Sequence, residues 1–150
     1  MNDDIRFAYR ENTARLATPV GRVVLLYEQM IQDIGQAIAA VQRQHIEDRT
    51  RAINHALLVL GLLQGSLDLE RGGDVARNLD RFYQLVRARL MEAQVRASGA
   101  ILEDQRNLLL SLRAAWLEVE RAAGPAAPET AASPASVPAS AENSPKNWSA

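Results

Sequence analysis

The sequence predicts an all-α fold: an antiparallel up-down four-helix bundle with a short N-terminal segment and a disordered C-terminal tail. Three observations point there. Apolar residues recur at steps of three and four in four separate stretches, the spacing that lines one face of a helix. The 150 residues are 47% hydrophobic but only 5% aromatic, a balance of Ala, Leu and Arg that favours helix over sheet. The breaks between stretches are short, and short connections join antiparallel neighbours. A chain of this length holds one domain.

The first predicted helix runs from Pro19 to about Gln44 and carries Val20, Val23, Val24, Tyr27, Met30, Ile31, Ile34, Ala37, Ile38 and Val41 on one stripe. Thr18 supplies a capping hydroxyl, and proline at the first helical position sacrifices no hydrogen bond. After a polar stretch from Gln42 to Arg51, a second helix carries Ile53, Ala56, Leu57, Leu60, Leu63 and Leu67, and Gly72-Gly73 is expected to end it. Asp74 is expected to cap a third helix bearing Val75, Leu79, Phe82, Tyr83, Val86 and Leu90. Ser98-Gly99 breaks the pattern again. The fourth stripe comprises Ile101, Leu102, Gln105, Leu108, Leu109, Leu112, Ala115, Trp116 and Val119. Helices of about 20 to 26 residues are about 30 to 39 Å long, well matched for a parallel-sided bundle.

The bundle domain is therefore expected over residues 1–121. Residues 122–150 contain 10 Ala, 5 Pro and 5 Ser, with Val137 and Trp148 as their only sizeable apolar side chains. Such a segment cannot bury enough surface to offset its ordering entropy, and it reads as a disordered tail. Trp148 is the one residue in it that could anchor a short recognition motif.

Sixteen Arg and one Lys, Lys146, oppose 18 acidic residues, for a formal charge of -1. That near-neutrality removes the long-range attraction on which nucleic-acid and membrane-surface binders rely, so neither partner is expected. The absence of cysteine excludes disulfides, thiolate nucleophiles and Cys-ligated zinc. The N-terminus, with Asp3 and Asp4, lacks a basic region followed by an apolar run, and no stretch approaches the roughly 20 uncharged apolar residues of a membrane span. A cytoplasmic location is expected.

No constellation for catalysis emerges. A di-metal bundle needs Glu-x-x-His pairs, which are missing, so no metal site is expected. Gly72-Gly73 lacks the Lys and Ser/Thr of a nucleotide loop, and no triad can be built around His45, which reads as solvated. His55, on the second helix, would suit a histidine phosphotransfer bundle, but the usual nearby Lys-Gly is absent, and a partly exposed structural histidine is the simpler reading. Arg87, Arg89, Glu92 and Arg96 have the spacing of surface ion pairs. No enzyme and no cofactor is expected.

The apolar surplus is more informative. Val23 to Leu26, Leu57 to Leu60 with Leu62 and Leu63, and Leu108 to Leu110 are runs that one helical face cannot hide. They serve a broad core, a seam between two copies, or an exposed groove for another polypeptide.

Tyr9, Thr18-Pro19 and Val23-Val24-Leu25-Leu26-Tyr27-Glu28 together resemble the opening of the flagellar secretion chaperones of the FliS type, where a Ser/Thr-Pro cap precedes a Leu-rich stretch ending in Leu-Tyr-Glu. The similarity continues through Ile53-x-x-Ala56, Leu67-Asp68, Gly72-Gly73, Ala76-x-Asn78-Leu79, Phe82-Tyr83 and Arg89-Leu90 to Leu109-x-x-Leu112-Arg113-x-Ala115-Trp116. It spans roughly residues 9–119. Gly21-Arg22 departs from the family's Glu-Leu and removes the reciprocal capping bond; Gln29 replaces a small residue, and the tail is not a family feature.

The resemblance implies a chaperone that holds the C-terminal segment of flagellin, prevents its premature polymerisation and delivers it to the flagellar export gate. The free form could be a homodimer. Contacts with the client are expected at Leu57, Leu60, Asn78, Leu79, Phe82, Tyr83, Leu85, Leu90 and Leu109. Among them, polar Asn78 beside an apolar stripe is the best functional candidate, whereas Tyr27 reads as a packed residue whose hydroxyl finds a polar partner. The resemblance implies that the segment before the first helix, with Ile5, Phe7 and Tyr9, can cover part of that surface as a lid, while the residues themselves read equally as a hydrophobic staple or a disordered start. A structural or adaptor bundle that uses the same surface for self-association or for another partner helix is the competing reading.

Overall fold

The computed structural model describes residues 2–123. It contains five helices: α1 (Asn2–Leu16), α2 (Pro19–Gln42), α3 (Ile46–Gly65), α4 (Gly73–Arg96) and α5 (Gly99–Ala123). No strand occurs among the described residues. Helices α2 to α5 form an up-down bundle in ring order, with α2 packed most closely on α3 and α5, while α4 leans less tightly on α3 and α5. The predicted tail lies outside the described residues except for Ala122 and Ala123, which extend α5.

The N-terminal segment is a 15-residue helix that packs on α2. Its junction with α2 explains the Thr-Pro motif. The Thr18 hydroxyl accepts from the Gly21 amide at 3.0 Å and donates to the Arg15 carbonyl at 3.4 Å, so one side chain caps α2 and receives the end of α1. Arg22 donates to the Leu16 carbonyl at 2.9 Å. Any side chain at position 21 would overlap the Arg15 carbonyl and the Thr18 hydroxyl. The glycine that breaks the capping box is therefore the residue that lets α1 approach.

The α2–α3 turn closes through Gln44 in the left-handed region, φ 58°, with the His45 amide bonded to the Ala40 carbonyl at 2.9 Å. His45 is more than solvated: its Nδ1 accepts from the Asp48 amide at 3.2 Å and caps α3, which starts inside the polar stretch.

Gly72-Gly73 does not end α3. That helix stops at Gly65, where the Ser66 hydroxyl donates to the Leu63 carbonyl at 2.7 Å. Asp68 then organises the loop, its Oδ1 accepting from the Glu70 and Arg71 amides at 3.2 and 3.0 Å. Gly72-Gly73 opens α4 instead, with Gly73 at φ +60°. Nor does Asp74 cap α4: it lies in the first turn and pairs with Arg77 at 2.5 Å, while no side chain caps that end. The α4–α5 break falls at Ser98-Gly99 as expected, although the left-handed residue is Ala97, at φ 50°. Ser98 accepts from the Ile101 amide at 3.2 Å and caps α5.

The core is continuous from Val20 and Val24 through Tyr27, Met30 and Ile34, closed by Ile53, Leu60 and Leu63 of α3, Tyr83 and Leu90 of α4, and Leu102, Leu109 and Trp116 of α5. Tyr27 meets Tyr83 hydroxyl to hydroxyl at 2.8 Å. Burial pushes the ionisation of both phenols above the usual tyrosine range, so both remain neutral. Among the described residues, no buried side-chain polar atom lacks a partner.

Candidate functional site

The three apolar runs divide as helical geometry requires. Within Leu57 to Leu63, Val59, Leu60 and Leu63 are buried, while Leu58 and Leu62 are exposed. In the Leu108 to Leu110 run only Leu109 is interior. In the first run Val23 and Val24 are buried, with Leu25 and Leu26 half-buried.

The surplus converges where α4 and α5 pack loosely. There Val75, Asn78, Leu79 and Phe82 of α4 face Leu108, Ser111 and Leu112 of α5 across a groove of about 510 Å³. Its walls are mostly apolar, with Leu108 46% exposed and Leu79, Phe82 and Leu112 packed on the core beneath. An opening of this size and chemistry suits apolar side chains of a partner segment. Asn78 stands at its rim, its carbonyl accepting from Arg81 at 3.3 Å. On α4, Leu85 projects one turn beyond Phe82 and is 65% exposed. Past Leu108 the surface turns polar, through Ser111, Asn107, Gln105, Asp104 and Arg89.

Five of the nine predicted contact residues thus have accessible surface: Leu57, Asn78, Leu79, Phe82 and Leu85. The structure brings Asn78, Leu79 and Phe82 together and places Leu57 on another helix. Leu60, Tyr83, Leu90 and Leu109 are at most 1% exposed and offer no surface to a partner in this arrangement. Each points to the bundle axis, because a helical stripe alternates inward and flanking positions within three or four residues. The lid expectation also changes. Ile5 and Phe7 are 67% and 70% exposed, so neither packs over an apolar surface; the side chain of Tyr9 lies outside the described residues. Val75, Leu108 and Leu112 are the groove residues that sequence reasoning did not single out. Their signal was present in the stripes, one step to the side of the buried positions.

Two polar features were also missed. Glu28, the end of the Leu-Tyr-Glu motif, accepts from Arg15 of α1 at 3.0 and 3.2 Å and from Arg113 of α5 at 2.9 and 2.5 Å. One carboxylate therefore ties three helices. Between α2 and α3, the buried Asp33 accepts from His55 at 2.6 Å and from Gln29 at 3.0 Å, inside a polar cleft of about 420 Å³. Gln29, out of place beside the motif, is thereby accounted for. The cleft's polar groups engage one another: Arg43 and Arg51 both pair with Asp48, and His55 hydrogen-bonds to Asp33. His55 is thus a partly exposed structural residue joining two helices. Of the four residues expected to form surface ion pairs, Arg89, Glu92 and Arg96 do so, with hydrogen bonds from Arg96 and Arg89 holding the Glu92 carboxyl below its usual range, whereas Arg87 donates to Gln64 of α3 at 2.6 Å.

A helical bundle with an accessible apolar groove, and polar clusters engaged in holding helices together, is the class of protein the structure defines. Comparison with known proteins sharpens that class. The family model described as flagellar protein FliS matches residues 1–123, and the chain belongs to this family. It is 35% identical over 100 residues to the flagellar secretion chaperone FliSB of Pseudomonas aeruginosa, covering 67% of this chain and 79% of the relative. Identity is 27% to the flagellar secretion chaperone FliS of Vibrio cholerae, over 69% of this chain and 76% of the relative. With the Salmonella typhimurium FliS chaperone it is 24%, over 73% and 82%. Among the described residues no helix is long and apolar enough to cross a membrane.

Proposed function

We propose that this protein is a cytoplasmic flagellar secretion chaperone that binds the C-terminal segment of flagellin, keeps it from polymerising early and hands it to the flagellar export machinery. The observation that carries this reading is the α4–α5 groove, whose apolar walls stay accessible beside a core that is already closed. Family membership supports the class of client. Apolar residues of an amphipathic client segment would seat against Leu79, Phe82 and Leu108, with Asn78 bonding to its backbone at the rim. The role is binding and release, with no catalytic step.

Titration of the full chain with a synthetic peptide from the C-terminus of the cognate flagellin tests it. Introduced in a Trp148→Ala background, which keeps the terminal indole out of the comparison, Leu108→Glu places a charge at an already exposed position, so folding is preserved while peptide affinity falls about tenfold or more. Asn78→Ala gives a smaller loss, about threefold to tenfold for one hydrogen bond. Unchanged affinity in a folded Leu108→Glu variant would remove this groove from the client site. Absence of binding by the parent chain would remove flagellin as the client.

A further inference from the structure

The family match stops at residue 123, the last residue of α5. Residues 124–150 lie beyond that match, and they contain a single aromatic residue, Trp148, with the chain's one lysine, Lys146, two positions before it. We propose that this segment docks back into the α4–α5 groove of its own chain, with Trp148 as the anchor, and competes with the client for that site. Only the competition rests on the proposed chaperone role; the docking stands on the groove and the segment.

Reach comes first. From Ala123 back along α5, Leu112 is about 16 Å away and Leu108 about 22 Å, at 1.5 Å per residue. The 25 steps from Ala123 to Trp148 span about 25 to 30 Å root-mean-square for an unstructured chain. Span and distance match, the condition under which tethering gives an effective concentration of about a millimolar. The groove sits at the right height for a segment leaving the end of α5.

Chemistry agrees with reach. The groove holds about 510 Å³ between Phe82, Leu79 and Leu108, and an indole offers it the largest apolar surface of any side chain beyond Ala123.

Tryptophan fluorescence of the full chain reads this directly. Trp116 is 3% exposed and gives a constant background, so subtracting the Trp148→Ala spectrum isolates Trp148. The expected emission is blue-shifted and shielded from acrylamide, and both signs disappear in Leu108→Glu. Water-like, fully quenched Trp148 emission in the parent chain overturns the proposal, as does shielding that survives Leu108→Glu. Shielding should persist across about a hundredfold dilution, because the contact is intramolecular. Loss on dilution would mean docking onto a second copy and would overturn the proposal in its stated form. In the client titration, Trp148→Ala should bind the peptide about tenfold more tightly, since a site occupied nine-tenths of the time has its apparent affinity cut by that factor. Equal affinity alongside a shielded Trp148 overturns the competition. If no variant binds the peptide, the client assignment fails and the fluorescence still decides the docking.

Discussion

Helices α2 and α4 are each 24 residues long and lie across the bundle from one another, yet α2 has 12 buried residues and α4 has five. Helix α2 is gripped on two sides and also carries α1, whereas α4 leans on α3 and α5 and leaves Leu79 and Phe82 only half covered. The difference is a division of labour. The buried surface of the bundle is concentrated on α2, and its uncovered apolar surface on α4, where the proposed client would complete what the chain leaves open.

Mutation can break this contrast or sharpen it. The largest effect is expected from Ile34→Ala on α2, a fully buried side chain whose loss should cost about 3 to 4 kcal/mol in urea unfolding. Leu79→Ala on α4 should cost about 1 kcal/mol and yet weaken client binding more than Ile34→Ala does. Equal stability losses at the two sites would erase the distinction.

Glu28→Gln comes next. It keeps the shape of the side chain but removes the charge that Arg15 and Arg113 share, and about 1 to 2 kcal/mol should be lost, these groups being partly exposed. The loss should shrink as salt is added, because screening already weakens the parent's pairs.

The smallest effect belongs to Ala97, which ends α4 in a left-handed conformation that an L side chain resists. Ala97→Gly should raise stability by about 0.5 to 1 kcal/mol, visible as a melting temperature about 2 °C higher. No gain would mean that α4 relaxes at its end without cost, which would fit its loose packing.

The helical stripes were legible because their period is set by the backbone, and Val20 to Val41 could be placed on α2 without coordinates. The Thr18-Pro19 start and the Ser98-Gly99 break were legible for the same local reason. What sequence could not supply was the direction of the bundle axis. Leu108 and Leu109 are chemically identical neighbours, one facing the groove and one the core, and only the position of α4 separates them. The end of α3 and the cap of α4 were misplaced because Asp68 and Ser66 act through local hydrogen bonds that Gly72-Gly73 overshadowed as a signal. Glu28 was invisible as a tie because its partners, Arg15 and Arg113, lie far from it in sequence on either side.

The seat of α1 has a mechanical consequence. Hydrogen bonds at Arg15 and Leu16, in its final turn, tie it to α2 and its cap, while Ile5 and Phe7 are largely exposed near the other end. A 15-residue helix is about 22 Å long, so it behaves as a lever with its fulcrum at Gly21. A shift of a few tenths of an ångström at that pivot is magnified severalfold at the tip, and position 21 therefore governs where the entire N-terminal arm points.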